Sequence, residues 1–321
     1  MTITSKYSFK YLSELYTNAF PPASKFSVDQ IPDLSGQVIL ITGGNTGIGK
    51  ETAKTLLTRN AKVYIACRNQ EKMETAIADI ELETGKRACS LQLDLASLKS
   101  IKKAAAEFRT KETKLHVLYN NAGIMQPPIE MMTADGYDVQ FGTNVLGHFY
   151  FTQQLMPLLL STAKTTPSGK VRVINVSSMG HLGVSHIDYD TLRENTKRAK
   201  LGPWKLYFQS KFGNVVYSNE LHRRYHDQGI VSISLHPGNL RTELWQYQSF
   251  VERYLTNMAL YPSTMGALTQ LYAGTMPEAA ELGGKYLIPW ARLGESLQET
   301  QDEKEMIKLW DWLEDQIKNV N

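Results

Sequence analysis

A doubly wound α/β sheet is the fold that this 321-residue sequence predicts. Three observations carry that expectation. Short β-branched runs alternate with longer helical patterns, the runs are almost continuously apolar, and a glycine-rich turn joins the first run to a helix.

The runs lie at 37–41 (QVILI), 61–66 (AKVYIA), 88–93 (ACSLQL), 116–120 (HVLYN), 171–176 (VRVINV), 230–235 (IVSISL) and 284–288 (GKYLI). Their unbroken apolar character is that of parallel strands buried on both faces. Helical periods fill the intervals at 49–59, 73–83, 98–109 and 139–160. The expectation is a single parallel sheet of about seven strands with helices on both faces.

Three regions leave this rhythm. In the N-terminal extension, 1–35, Leu12, Leu15, Tyr16 and Ala19 recur at helical spacing with Phe9 one turn earlier. That amphipathic helix either docks on the domain or touches a membrane. The segment 244–262 is rich in Trp245, Tyr247, Phe250, Tyr254, Leu255, Met258 and Tyr261. It reads as a lid over an apolar pocket, or as a packed helix pair. In the tail, 291–321, Met306, Leu309, Trp310, Leu313 and Ile317 share one helix face that docks or packs in an oligomer. The polar stretches 165–170 and 194–203 read as loops, and 36–290 as the catalytic domain.

Composition narrows the function. A net charge of +3, from 35 basic and 32 acidic side chains without a basic block, argues against nucleic acid as a partner. Cys67 and Cys89 form no disulfide framework and read as buried, inert thiols in a reducing compartment. The first twenty residues lack the apolar core of a signal peptide or membrane span, so the expected location is cytoplasmic. The sequon at Asn175 falls inside an apolar strand, which argues against glycosylation there. The histidines show no metal-ligand spacing, and no metal site is expected; His181, three residues past Ser178, reads as either packing or a substrate contact.

The first strand runs into Thr42-Gly43-Gly44-Asn45-Thr46-Gly47-Ile48-Gly49 and then a helix. Glycines let the backbone approach a pyrophosphate, and the helix N-terminus offers it free N–H groups. This strand–turn–helix context is that of a Rossmann-type dinucleotide site. The second strand ends at Arg68, where an NAD site would place a carboxylate for the ribose hydroxyl. A guanidinium there pairs with a 2′-phosphate, so the expected cofactor is NADP(H); the alternative is an exposed loop arginine. Asp94, in Leu93-Asp94-Leu95, either accepts from the adenine amino group or caps the helix beginning near Ser97.

Tyr207 and Lys211 stand four residues apart, on one helix face. A nearby ammonium stabilises a phenolate, and so brings a tyrosine of ordinary pKa about 10 toward acid–base use. Ser177 and Ser178 end a central strand, at the sheet edge where ligands of such sheets bind. One of the two hydroxyls should face the tyrosine and hold a substrate carbonyl. Asn120-Asn121-Ala122-Gly123 and His236-Pro237-Gly238-Asn239-Leu240-Arg241-Thr242 end strands on the same edge, and Asn144 lies in a helix beyond it.

With these motifs in order from about residue 36 to 290, the chain resembles the short-chain dehydrogenase/reductase superfamily. The wording TGGNTGIGKET, ACR, NNAGIM and HPG is similar to the retinol-dehydrogenase-like and WW-domain-oxidoreductase-like branch. The resemblance implies Tyr207 as acid–base, Lys211 as the group that lowers its pKa and holds the nicotinamide ribose, and Ser178 as the carbonyl-orienting hydroxyl. It implies a water-linked proton relay at Asn144. Gly43, Asn45, Thr46, Gly47, Ile48, Gly49, Asp94, Leu95, Asn121, Ala122, Gly123, Pro237, Gly238, Leu240 and Thr242 would line the dinucleotide. Against that branch, the N-terminus lacks the retinol dehydrogenases' hydrophobic anchor, and WW modules are absent.

The function expected is reversible hydride transfer between NADP(H) and the carbonyl or alcohol of an apolar, fairly bulky substrate. Alternatives are a membrane-peripheral retinoid or lipid dehydrogenase and a non-catalytic NADP(H)-binding sensor. Monomer and homodimer are both open.

Overall fold

The computed structural model describes residues 16–240 and 260–320. Eight strands form one sheet: β1 (Val38–Thr42), β2 (Lys62–Cys67), β3 (Cys89–Gln92), β4 (Val117–Asn120), β5 (Val171–Val176), β6 (Ile230–Leu235), β7 (Tyr286–Ile288) and β8 (Arg292–Gly294). Their order is β3-β2-β1-β4-β5-β6-β7-β8. The first seven are parallel and are those expected. The eighth is added by an antiparallel turn, pairing Leu287 with Leu293.

Helices α1 (Gly47–Thr58), α2 (Gln70–Thr84) and α6 (Ser263–Thr275) cover one face, while α3 (Leu98–Lys111), α4 (His148–Thr165), α5 (Thr196–Tyr225) and α7 (Glu303–Ile317) cover the other. Strand alternation sorts the two cores: Val38 and Leu40 point into one, Ile39 and Ile41 into the other. The winding reverses between β1 and β4, and their C-terminal ends open a crevice there.

Two helices differ from expectation. The 139–160 pattern is a continuous rod from Val139 to Thr165, with a π-helical stretch at Gly142–Gly147 before α4. The expected loop at 194–203 is instead the first part of α5. Asn195 caps it by accepting from the Arg198 N–H at 2.8 Å, and Gly202 (φ 78°, ψ 163°) breaks this short first part from the longer helix that Pro203 begins.

The C-terminal helix buries Met306, Leu309, Trp310 and Leu313 against this domain. Trp310 meets Phe149 edge-on at 5.1 Å and lies under the Arg224 guanidinium at 4.6 Å. Of the N-terminal helix, Phe9, Leu12 and Leu15 lie outside the described residues. Residues 16–19 are helical, and Arg292 donates to the Thr17 carbonyl at 3.1 Å. The lid segment lies outside the described residues up to 259, and so does Thr242. Among the described residues no helix is long and apolar enough to cross a membrane.

Candidate active site

The glycine-rich turn is shaped by close approach. Gly43 has φ +67°, and a Cβ on it would sit 3.0 Å from the Ala122 backbone. A Cβ on Gly49 would collide with the Gly43 carbonyl and come within 2.6 Å of Asn121 Nδ2. The first turn of α1 begins at Thr46, which makes no side-chain cap, and carries no acidic residue. Its N–H groups therefore stay available to an anion at the crevice. A dinucleotide pyrophosphate fits this cradle.

Across the crevice, Thr42 organises the turn after β4. Its hydroxyl accepts the N–H groups of Asn121 and Ala122, each at 3.0 Å. Asn121 in turn donates from Nδ2 to the Thr42 carbonyl at 2.8 Å. These bonds set Gly123 beside Asn144 and Lys211: a Cβ on it would meet Asn144 Oδ1 and Lys211 Nζ, each at 3.5 Å.

The strand end after β5 separates the two serines. Ser177 turns inward and donates to the Lys211 carbonyl at 2.7 Å. Ser178 faces the crevice, and its hydroxyl also accepts from the Gly180 N–H at 3.0 Å. Ser178 is thus the serine whose hydroxyl lies beside the Tyr207 phenol.

Tyr207 and Lys211 are both buried on the crevice side of α5. Burial drives the phenol up to about 12, opposed by the neighbouring Ser178 hydroxyl. Burial drives the Lys211 ammonium down to about 7; it donates to the Val176 carbonyl at 3.0 Å and lies 5.8 Å from the Tyr207 ring centre. Lys211 is not among the causes of the Tyr207 shift. Desolvation dominates both groups, and the tyrosine keeps its proton at neutral pH. A protonated phenol can serve as a general acid.

Asn144 sits in the π-helical stretch. Its side chain accepts from the Ile124 N–H at 2.9 Å and donates to Ile124 O at 3.1 Å and Ser210 Oγ at 2.9 Å. Its carbonyl accepts from Asn214 Nδ2 at 2.7 Å and stands 3.0 Å from His148 Nδ1.

One cavity of about 640 Å³ unites these groups. Its wall includes Gly43, Asn45, Thr46, Gly47, Ile48, Asn121, Ala122, Gly123, Ser178, Tyr207, Lys211, Pro237, Gly238 and Leu240. Gly49 shapes the turn from behind. Arg68, Asp94 and Leu95 are outside the wall. Arg68 is exposed past β2 and has no ion pair among the described residues. The capping alternative for Asp94 is not what the structure shows: Ser97 caps α3, and Asp94 accepts from the Ala96 N–H at 2.9 Å. Leu95 is buried, its carbonyl closed against Gly147.

The far side of the cavity is apolar: Met125, Met179, Leu182, Trp204 and Phe208. Phe208 lies so close on Gly183 that a Cβ there would enter its ring, and Trp204 stands 5.7 Å from it. Sequence reasoning assigned the apolar surface to 244–262 and missed these two aromatics. The available signal was Trp204 at i−3 from Tyr207, with Phe208 four residues after Trp204. His181 packs instead of facing the cavity: it is 1% exposed, with Nδ1 2.8 Å from the Ser178 carbonyl and Nε2 accepting from the Leu297 N–H at 3.3 Å. Among the described residues no three metal-ligating side chains come together. Cys67 is buried, which pushes its thiol up to about 11.

The short chain dehydrogenase family profile matches residues 37–187. A short-chain dehydrogenase/reductase of Armillaria gallica is 50% identical over 305 residues, covering 95% of this chain and 98% of the relative. The chain belongs to the short-chain dehydrogenase/reductase family. An uncharacterized oxidoreductase of Schizosaccharomyces pombe is 40% identical, covering 87% of this chain and 84% of its own. The solved structure of an uncharacterized protein from Mycobacterium paratuberculosis matches with a TM-score of 0.71 at 28% identity, over 92% of this chain and 98% of that one. Members of the family are oxidoreductases that act on CH–OH or C=O groups with a nicotinamide cofactor.

Proposed function

We propose that this family member is an NADP(H)-dependent carbonyl reductase for an apolar, fairly bulky substrate, with Tyr207 as the acid. The observation that carries the reading is one cavity with a dinucleotide cradle at one end, a buried protonated tyrosine in the wall and aromatic side chains opposite. The bound cofactor supplies or accepts the hydride. Everything else falls to the chain. Ser178 and Tyr207 hydrogen-bond the substrate oxygen; as negative charge develops on it, Tyr207 releases its proton to it. Lys211, charged below about pH 7, holds sugar hydroxyls and stabilises the phenolate left behind. Met125, Met179, Leu182, Trp204 and Phe208 exclude water and receive the apolar body of the substrate.

Arg68, exposed past the end of β2 and without an ion pair among the described residues, supports the phosphorylated cofactor. Two cysteines without a disulfide suit a reducing cytoplasm, where NADPH drives reduction. The test is an NADPH-consumption screen over aromatic, terpenoid and long-chain aldehydes and ketones. Turnover should appear with apolar substrates and fall at least ~10³-fold in Tyr207→Phe, with NADPH binding unchanged. Retention of a tenth of the activity in that variant, or turnover of small polar sugars alone, would sink the reading.

A further inference from the structure

His148 is the first residue of α4, 1% exposed, and its ring spans two elements. Nδ1 is 3.0 Å from the Asn144 carbonyl, and Nε2 is 2.8 Å from the Thr42 hydroxyl. A carbonyl oxygen only accepts, so the ring proton sits on Nδ1. Nε2 of the neutral ring is then a bare acceptor, and Thr42 must donate to it. The Thr42 oxygen meanwhile accepts from Asn121 N and Ala122 N. A hydroxyl has one proton and two lone pairs, and all three are now committed; the Tyr119 carbonyl, at 3.3 Å, is the longer of its two acceptors. Every proton in the chain from Asn144 to the 121–122 turn therefore has one direction.

We propose that His148, as the neutral Nδ1-protonated imidazole, is a positioning residue that locks the Asn121–Ala122 turn through Thr42 and occupies the Asn144 carbonyl. The inference rests on the dinucleotide reading of that turn. The Asn144 carbonyl takes one donor from His148 and another from Asn214, so both its lone pairs are used. The Asn144 side chain meanwhile fastens Ile124. An imidazolium would set a second donor against a hydroxyl whose lone pairs are full. Burial, aided by the Lys211 charge, keeps the ring neutral, with its pKa down at about 4.

The two contacts separate by substitution. In His148→Gln the longer amide reaches the Nε2 position and keeps an acceptor for Thr42. In His148→Asn the shorter amide reaches the Nδ1 position and keeps only the donor to Asn144. NADPH affinity is read by quenching of intrinsic tryptophan fluorescence. It should weaken about tenfold in His148→Asn and stay near wild type in His148→Gln, the scale of one buried hydrogen bond. Amide exchange at Asn121 and Ala122 should speed up in His148→Asn only. Nitrogen-15 shifts of the wild-type imidazole should report the Nδ1–H tautomer. An Nε2–H tautomer, or His148→Asn with wild-type exchange at Asn121 and Ala122, overturns the proposal whether or not NADPH binds. If the wild-type protein binds neither NADPH nor NADH, the dinucleotide reading fails, and the tautomer and exchange data still decide the lock.

Discussion

Helix α5 buries two cations thirteen residues apart, and they are treated in opposite ways. Arg198, 3% exposed, is saturated: its Nε donates to Asp138 at 3.0 Å, and its two terminal nitrogens donate to the Ile129 and Met131 carbonyls at 2.6 and 3.1 Å. Asp138 is satisfied in turn by the N–H groups of Gln140 and Phe141. Lys211, 4% exposed, has one carbonyl and no carboxylate among the described residues. Paired burial keeps a charge and fixes a structure; unpaired burial raises the free energy of the charged form. The first cation anchors the rod that carries Asn144. The second is held in a state that only a ligand can satisfy, which is how functional groups differ from structural ones.

Breaking the saturated site should have the largest effect on stability. Arg198→Met leaves Asp138 buried without its counter-ion and strands two carbonyls, at a cost of about 3–5 kcal/mol and a fall in Tm of about 10 °C, measured by calorimetry. Next comes pH. Lys211 is charged below about 7 and neutral above it, so kcat/KM for carbonyl reduction should decline as pH rises through that value, approaching tenfold per unit on the alkaline side. A flat profile from pH 6 to 9 would remove the ammonium from the chemistry. The smallest effect lies past the end of β2. Arg68→Asp should shift cofactor preference from NADPH toward NADH by about tenfold to a hundredfold in kcat/KM, with little change in Tm.

The sheet was readable because its signals are local: apolar runs of strand length, a glycine turn between strand and helix, and motifs that end strands on one edge. β8 was not, being three residues of half-exposed chain whose only reason to pair is the neighbouring strand. The helical turn inside 194–203 read as loop because the bonds that fix it, the Asn195 cap and the Arg198–Asp138 pair, depend in part on a partner 60 positions away. The tyrosine, lysine and serine were readable from spacing. Their charge states were not, because burial sets them and burial is a property of the whole fold. Trp204, three residues before Tyr207, and Phe208, four after Trp204, were in view but were outweighed by the denser aromatics of 244–262. His148 was read only as a histidine without metal partners; its contact with Thr42 joins residues 106 apart.

The contrast between the two cations makes one measurement decisive: the melting temperature and turnover of Lys211→Met, taken on the same preparation. The ammonium's folded pKa lies below its unfolded value near 10.5, so its destabilising effect is absent above about pH 10.5, grows as pH falls toward 7 and is complete below that. At pH 7 the variant should therefore melt about 5 °C higher than wild type while carbonyl reduction falls at least ~10³-fold. A variant that melts lower, or that keeps a tenth of its turnover, would contradict the assignment of Lys211 as a charge buried for chemistry.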